Sequence, residues 1–191
     1  VTPDNSSIEN TLSAVNAIEL LNETIATSKI DNKRVLVHLG ATWWGWCKVL
    51  EEFLEKNSEL IEKDFIILKI DVEDMQNGKQ AATKLGHGAN SGLPWITILD
   101  SAGDEIINSD SPQGNIGCPI TEKECGYFIT MIEQSKQRLT KQQTTDLATA
   151  LDAYVAPKRR GDNWSQKAVD LQQGKCQIDG QKSALGDRRN Q

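Results

Sequence analysis

The chain has 191 residues, a net charge of −6, 38% hydrophobic and 25% charged residues, the make-up of an ordinary soluble protein. That length suits one domain with a real core plus an appendage and is short for two full domains. No apolar run approaches the roughly 20 residues needed to cross a bilayer, so no membrane span is predicted, and no clustered basic face with interleaved aromatics points to nucleic acid.

The charge is unevenly spread. Residues 157–191 carry eight Lys/Arg against four Asp, a net +4, which leaves residues 1–156 at −10. Such a basic extension docks on the acidic body, seeks an anionic partner, or is simply solvated. The first residue is Val1, which fits a trimmed chain or a mature form after leader removal.

In chain order, residues 1–12 are polar and read as a frayed terminus. Val15, Ile18, Leu21 and Ile25 make a helical stripe within Ser13 to Lys29, closed by Asp31-Asn32. Val35 to Leu39 has the length and β-branched content of a strand buried on both faces. Gly40 to Gly45 turns the chain, and Cys47, Leu50, Phe53 and Leu54 mark an amphipathic helix ending near Lys56. A short helical turn follows Asn57-Ser58, then a second buried strand, Phe65 to Ile70. Gly78 to Leu85 reads as a modest helix with Gly86 as its left-handed cap. A Gly-rich loop around His87 leads to Leu93-Pro94 and the strand Trp95 to Leu99. The turn at Ser101 to Asp104 joins it to a short partner strand, Glu105 to Asn108. Thr121 with Glu124 forms a capping box for a helix burying Cys125, Phe128, Ile129, Ile132 and Leu139. Thr140 with Gln143 repeats the signal for a further helix carrying Leu147, Leu151 and Tyr154, which Pro157 is expected to end. Beyond it the residues predict an extension with at most a short helix from Trp164 to Leu171.

The stretch from Arg34 to Lys48 organises this layout. A buried strand, a tight turn and Trp44-Gly45-Trp46-Cys47-Lys48 at a helix start resemble the active-site segment of the thioredoxin superfamily. Gly92-Leu93-Pro94 before a strand resembles the proline that faces the active-site turn in that superfamily. The resemblance runs from about Ser13 to Leu139 and implies an α/β, thioredoxin-like fold, a central mixed sheet flanked by helices. The helix 140–156 and the extension 157–191 are additions to it. Among family members the closest likeness is to exported bacterial proteins with a Cys-x-Trp-Cys motif, which implies a periplasmic or secreted protein acting on protein or peptide thiols and disulfides. No cofactor is implied.

One motif residue departs from the family. The resemblance places the attacking cysteine where this chain has Trp44, and Cys47 in the buried, resolving position. A two-cysteine cycle within the motif is therefore closed to this chain. Two functional readings follow. In the first, the protein keeps the fold and groove and binds cysteine-containing or apolar client peptides, with Trp43, Trp44, Trp46 and Trp95 clustered on one rim beside Leu93 and Pro94. In the second, Cys47 pairs with Cys118, from the loop that borders the groove in this superfamily, as a non-standard thiol–disulfide oxidoreductase. Cys118–Cys125 is a competing local disulfide, and free buried thiols a third arrangement. His38, where classical thioredoxins carry a buried acid, is either a proton relay for Cys47 or a neutral core residue. Metal binding by Cys47, His87 and Cys118 lacks any supporting ligand spacing, and no metal is predicted.

Overall fold

The computed structural model describes residues 15–88 and 91–159. The predicted frayed segment 1–12, the extension beyond Arg159 with its Trp164–Leu171 helix, and Cys176 lie outside the described residues. Helix α1 (Ala17–Asp31) starts where the Asn16 side chain accepts from the backbone N–H groups of Ile18 and Glu19, an N-cap that sets its start later than the predicted Ser13. Asn32, at a left-handed φ of 50°, closes it. Strand β1 (Arg34–Gly40) then enters the core, buried everywhere but at Arg34.

From β1 the chain passes into α2 (Gly45–Lys56), a one-turn α3 (Ser58–Ile61) and β2 (Phe65–Asp71). Helix α4 (Gly78–Lys84) leads to β3 (Trp95–Leu99) and β4 (Glu105–Asn108). A small hairpin, β5 (Asp110–Ser111) with β6 (Gly114–Asn115), precedes α5 (Glu122–Ser135) and α6 (Lys141–Arg159). The sheet order is β2-β1-β3-β4, with β1 parallel to β2 and antiparallel to β3. Leu36 points from β1 to the α2, α5 and α6 layer, meeting Leu50, Phe53, Phe128 and Leu151. Val35, Val37 and Leu39 point to the α1 and α4 layer, meeting Leu21, Ala81 and Trp95. Alternating side chains of one strand thus anchor both layers, which is why it reads as a continuous apolar run.

The predicted strands and helices are present, including the capping boxes at Thr121 and Thr140. Helix α5 stops at Ser135, so Leu139 is buried from the following loop. The expectation that Pro157 ends the last helix is corrected, since α6 runs through Pro157 to Arg159. Proline removes one amide donor near a helix end that side chains hold in place. The Lys158 ammonium donates to the Tyr154 carbonyl at 3.1 Å, and the Arg159 guanidinium donates to the Ile120 carbonyl and Asp152.

The added helix is held to the sheet by a buried carboxylate. Asp64, fully buried before β2, accepts from the backbone N–H groups of Gln137, Arg138 and Leu139 at 2.9, 2.6 and 2.8 Å. Those amides form the α5–α6 connection. Tyr154 extends the attachment, its single hydroxyl proton lying within hydrogen-bond reach of both the Val49 carbonyl and the Glu52 carboxylate of α2. Asp64→Ala strands three amides, and charge-assisted hydrogen bonds contribute about 1.5–3 kcal/mol each. The expected outcome is a loss of ~3 kcal/mol or more in urea unfolding, with faster amide exchange in α6; an unchanged midpoint would refute the anchoring role.

Candidate functional site

The site grows from the end of β1. At Gly40 a side chain would stand 3.2 Å from the Cys47 sulfur and 3.3 Å from Cε1 of His38, so a residue with no Cβ lets the first turn of α2 close onto the strand. The turn itself is held from β2. One Asp71 carboxylate oxygen accepts from the Thr42 backbone N–H at 2.6 Å and the Thr42 hydroxyl at 2.5 Å, and the other from the backbone N–H groups of Glu73 and Asp74. Burial works to raise the Asp71 pKa, but these hydrogen bonds together hold it below the ordinary carboxylate value. The Thr42 link fixes the strand-to-helix turn.

Trp44 is the N-cap of α2, with extended φ and ψ and no side-chain capping bond. This is the position at which a helix N-terminus stabilises an anion, and an indole has no use for it. Trp43, Trp44 and Trp46 are 51%, 40% and 37% exposed. Trp43 meets Trp44 edge-on at 5.3 Å and donates from its indole N–H to Glu73 at 2.6 Å. The expected four-tryptophan rim is corrected to three, because Trp95 is fully buried. The inward alternation of β3 puts its ring in the core, where it packs edge-on against His87 at 5.4 Å and donates to Asp110 at 3.0 Å.

Beside the motif lies a groove of about 960 Å³. It is lined by Trp44, Trp46, Leu93, Pro94 and Cys118 together with Thr121 to Glu124, Lys158 and Arg159. The Leu93–Pro94 peptide is cis. Asn115 steadies this wall, donating from its side-chain amide to the carbonyls of Gly92 and Pro94. Of the predicted site residues, Trp44, Trp46, Leu93, Pro94 and Cys118 share the groove. Cys47, His38, Trp43 and Trp95 are not in its lining.

Cys47 is fully buried and Cys118 half-buried, and Cys47, Cys118 and Cys125 are all free thiols. Burial pushes the Cys47 pKa up to about 11, against a hydrogen bond from the Ala41 backbone. Burial likewise pushes Cys118 up to about 12, with the Lys158 charge pulling the other way. His38 is 1% exposed, and neither ring nitrogen has a hydrogen-bond partner among the described residues. Burial first, then the Lys69 charge, lowers its pKa to about 3. The ring is therefore neutral, and the 3.9 Å approach of Glu51 to Nδ1 is not an ion pair; Glu51 pairs instead with Lys69 at 2.6 Å. His87 is half-buried against Trp95, and its Nε2 has no hydrogen-bond partner among the described residues. Among the described residues no group of three or more His, Cys, Asp or Glu could hold a metal ion, so Cys47, His87 and Cys118 do not make one.

The family model described as thioredoxin-like matches residues 16–101. Those residues are similar to the thioredoxin-like family, and the chain has a thioredoxin-like fold. A disulphide isomerase from Xylella fastidiosa resembles it at 23% identity and a TM-score of 0.52, over 63% of this chain and 93% of that one. Thioredoxin O2 from Arabidopsis thaliana aligns at 16% identity and a TM-score of 0.45, over 66% of this chain and 97% of that one. No curated protein matches the chain. The family match stops at residue 101, before the loop carrying Cys118 and before α5 and α6.

Sequence reasoning missed Asp71 and the Lys158–Arg159 wall. An acid directly after an apolar strand run was a legible turn signal, whereas the wall was hidden by ending the last helix at Pro157.

Two measurements follow from these ionisations. A histidine whose folded pKa lies below its unfolded value costs stability as pH falls from about 6.5 toward 3. Asp71, whose pKa is also lowered, contributes fully above the unfolded value of 3.8 and loses that contribution as pH falls through its lower folded value. The native chain should therefore weaken below about pH 6.5, by at most ~1.4 kcal/mol per pH unit from this group. His38→Leu should flatten that limb and leave the steeper acid limb below; urea titrations across the range decide it, and an unflattened limb contradicts the assignment. For the thiols, roughly one part in a thousand of Cys47 is thiolate at about pH 8. Site-resolved iodoacetamide labelling should find Cys47 and Cys118 slow in the native chain and fast in urea; rapid native labelling would contradict this.

Proposed function

We propose that the domain binds apolar, cysteine-containing segments of polypeptide partners in the Trp44–Trp46–Pro94 groove without dithiol turnover. The observation that carries this reading is Trp44 at the α2 N-cap, where the family's attacking cysteine would need to be a thiolate. The exposed indoles supply the alternative currency of recognition, large rigid apolar area with an edge N–H. Three of the four large exposed hydrophobics among the described residues belong to this turn, and an apolar patch beside a preformed groove marks an interaction surface.

The competing oxidoreductase reading uses Cys47 with Cys118. Its weakness is chemical. The thiolate is the nucleophile in exchange, and burial keeps both sulfurs protonated. His38 is a poor base to correct this, being neutral and hard to protonate. A periplasmic or secreted setting belongs to the same proposal and is supported by the resemblance to exported Cys-x-Trp-Cys proteins.

Reduction of insulin disulfides and binding of a fluorescent apolar peptide test the reading together. The parent chain should show no turnover above background, and Cys47→Ala should bind the peptide as the parent does. Trp46→Ala should weaken binding about tenfold, the ~1.4 kcal/mol of a modest aromatic anchor. Trp44→Cys puts a thiol at a helix N-terminus and should create reductase activity. Turnover by the parent, or unchanged affinity in Trp46→Ala, would overturn the proposal.

A further inference from the structure

Of the four large exposed hydrophobics among the described residues, the one outside the motif turn is Ile30, 84% exposed in the last turn of α1. It stands at the other end of the sheet. Arg34 and Phe65 open the parallel pair β1 and β2, and Gly40 and Asp71, beside the motif turn, close it. Strands of seven residues at ~3.3 Å per residue set these two ends about 20 Å apart.

Around Ile30 the fold gathers cations from three separate parts of the sequence. The Arg138 guanidinium donates to the Lys63 carbonyl at 3.1 Å and to the Asp31 carbonyl at 3.3 Å. The Arg34 backbone N–H donates to the Asp64 carbonyl at 2.8 Å. These bonds bring residues 29–34, 62–64 and 136–141 to one pole. The three segments hold seven Lys/Arg against Asp31, Glu62 and Asp64, a net +4. The rest of residues 15–159 hold eight Lys/Arg against eighteen Asp/Glu, a net −10. Asp64 is buried and spent on the backbone amides of the α5–α6 connection, whereas Lys29, Lys63, Arg138 and Lys141 are exposed.

Composition decides the kind of partner. Interfaces between proteins deplete lysine and are anchored by Trp, Tyr and Arg. Here lysines outnumber arginines five to two, and the protruding apolar group is a single aliphatic side chain. A cationic rim around such a side chain suits an anionic bilayer, which takes up the apolar group and attracts each nearby cation. The acidic remainder of the domain does little to oppose it. Charges are screened over about 8 Å at physiological ionic strength, well short of the far end of the sheet.

We infer that this pole docks the domain on an anionic phospholipid surface, with Ile30 entering the headgroup layer inside a ring of lysines and arginines. Docked this way, the domain holds the Trp44–Trp46 groove away from the bilayer and open to soluble partners. The attachment is peripheral and weakens with added salt. It stands independently of what the groove binds.

Co-sedimentation of the full chain tests this, comparing vesicles of phosphatidylcholine alone with vesicles carrying roughly one-third phosphatidylserine. The anionic vesicles should bind the chain and the neutral ones should not. Lys33→Glu/Lys63→Glu should weaken binding by more than about tenfold, since each cation near such a surface contributes about fivefold. Ile30→Ser should weaken it about tenfold, the loss of one inserted aliphatic side chain. Arg138, which holds two carbonyls, is left in place. Lys79→Glu/Lys84→Glu on α4 makes the same change in net charge and should shift binding less than about twofold. No binding to the anionic vesicles overturns the inference, and so does equal weakening in the α4 pair, the sign of general charge alone. Unchanged binding in Lys33→Glu/Lys63→Glu also overturns it, because the basic residues beyond Arg159 would then carry the contact. Weakening by the lysine pair with none in Ile30→Ser overturns the bilayer and assigns the pole to a soluble polyanion or an acidic protein.

Discussion

The site rests on a carboxylate that does no chemistry. Asp71 ends β2 and reaches across to the turn after β1, so the two parallel strands and the first turn of α2 are tied at one point. An ionised acid is suited to this because it accepts several backbone donors at once, and those donors hold its charge in place against burial. Gly40 supplies the complementary condition, letting the helix approach within contact of the strand. Together they set where Trp44 and Trp46 stand and how deeply Cys47 sits.

That depth governs how readily the Cys47 thiol ionises. A thiol at a helix N-terminus is ionised by the unpaired amides and the dipole, whereas burial one turn further in disfavours the thiolate. The chain has an indole in the first place and a sulfur in the second. Neutral His38 beside it, both nitrogens without a hydrogen-bond partner among the described residues, adds no proton acceptor of useful strength. The polar resources of the motif have gone into holding the turn, and the exposed surface is aromatic.

Helix α6 changes what the groove is. Asp64 and Tyr154 attach it to β2 and α2, and its last turn completes a cleft that the motif and the Leu93–Pro94 segment begin. Tyr154 also carries the Lys158 ammonium over its ring at 3.7 Å, an arrangement that keeps the cation at the wall. The position of that last turn links the added helix to the site.

Much of the layout was legible in the residues because period and punctuation agree locally. The β1 run, the α2 stripe, the Gly86 turn and the two Thr-led capping boxes each depend on neighbours in sequence. The departure at Trp44 is equally a fact of sequence, and so is the pairing of a motif turn with a distant Leu-Pro. Which indoles face solvent was not legible, because Trp95 and Trp46 are equally apolar and only strand alternation against a packed layer buries one of them. Nor were the partners of Asp64 and Asp71, because the backbone amides that converge on them come from distant parts of the chain. The residues alone determined the thioredoxin-like plan and put Trp44 where the resemblance expects a cysteine. Only the tertiary structure decided that both remaining thiols near the groove stay protonated and that α6 walls it, since ionisation and enclosure depend on what surrounds a group in space.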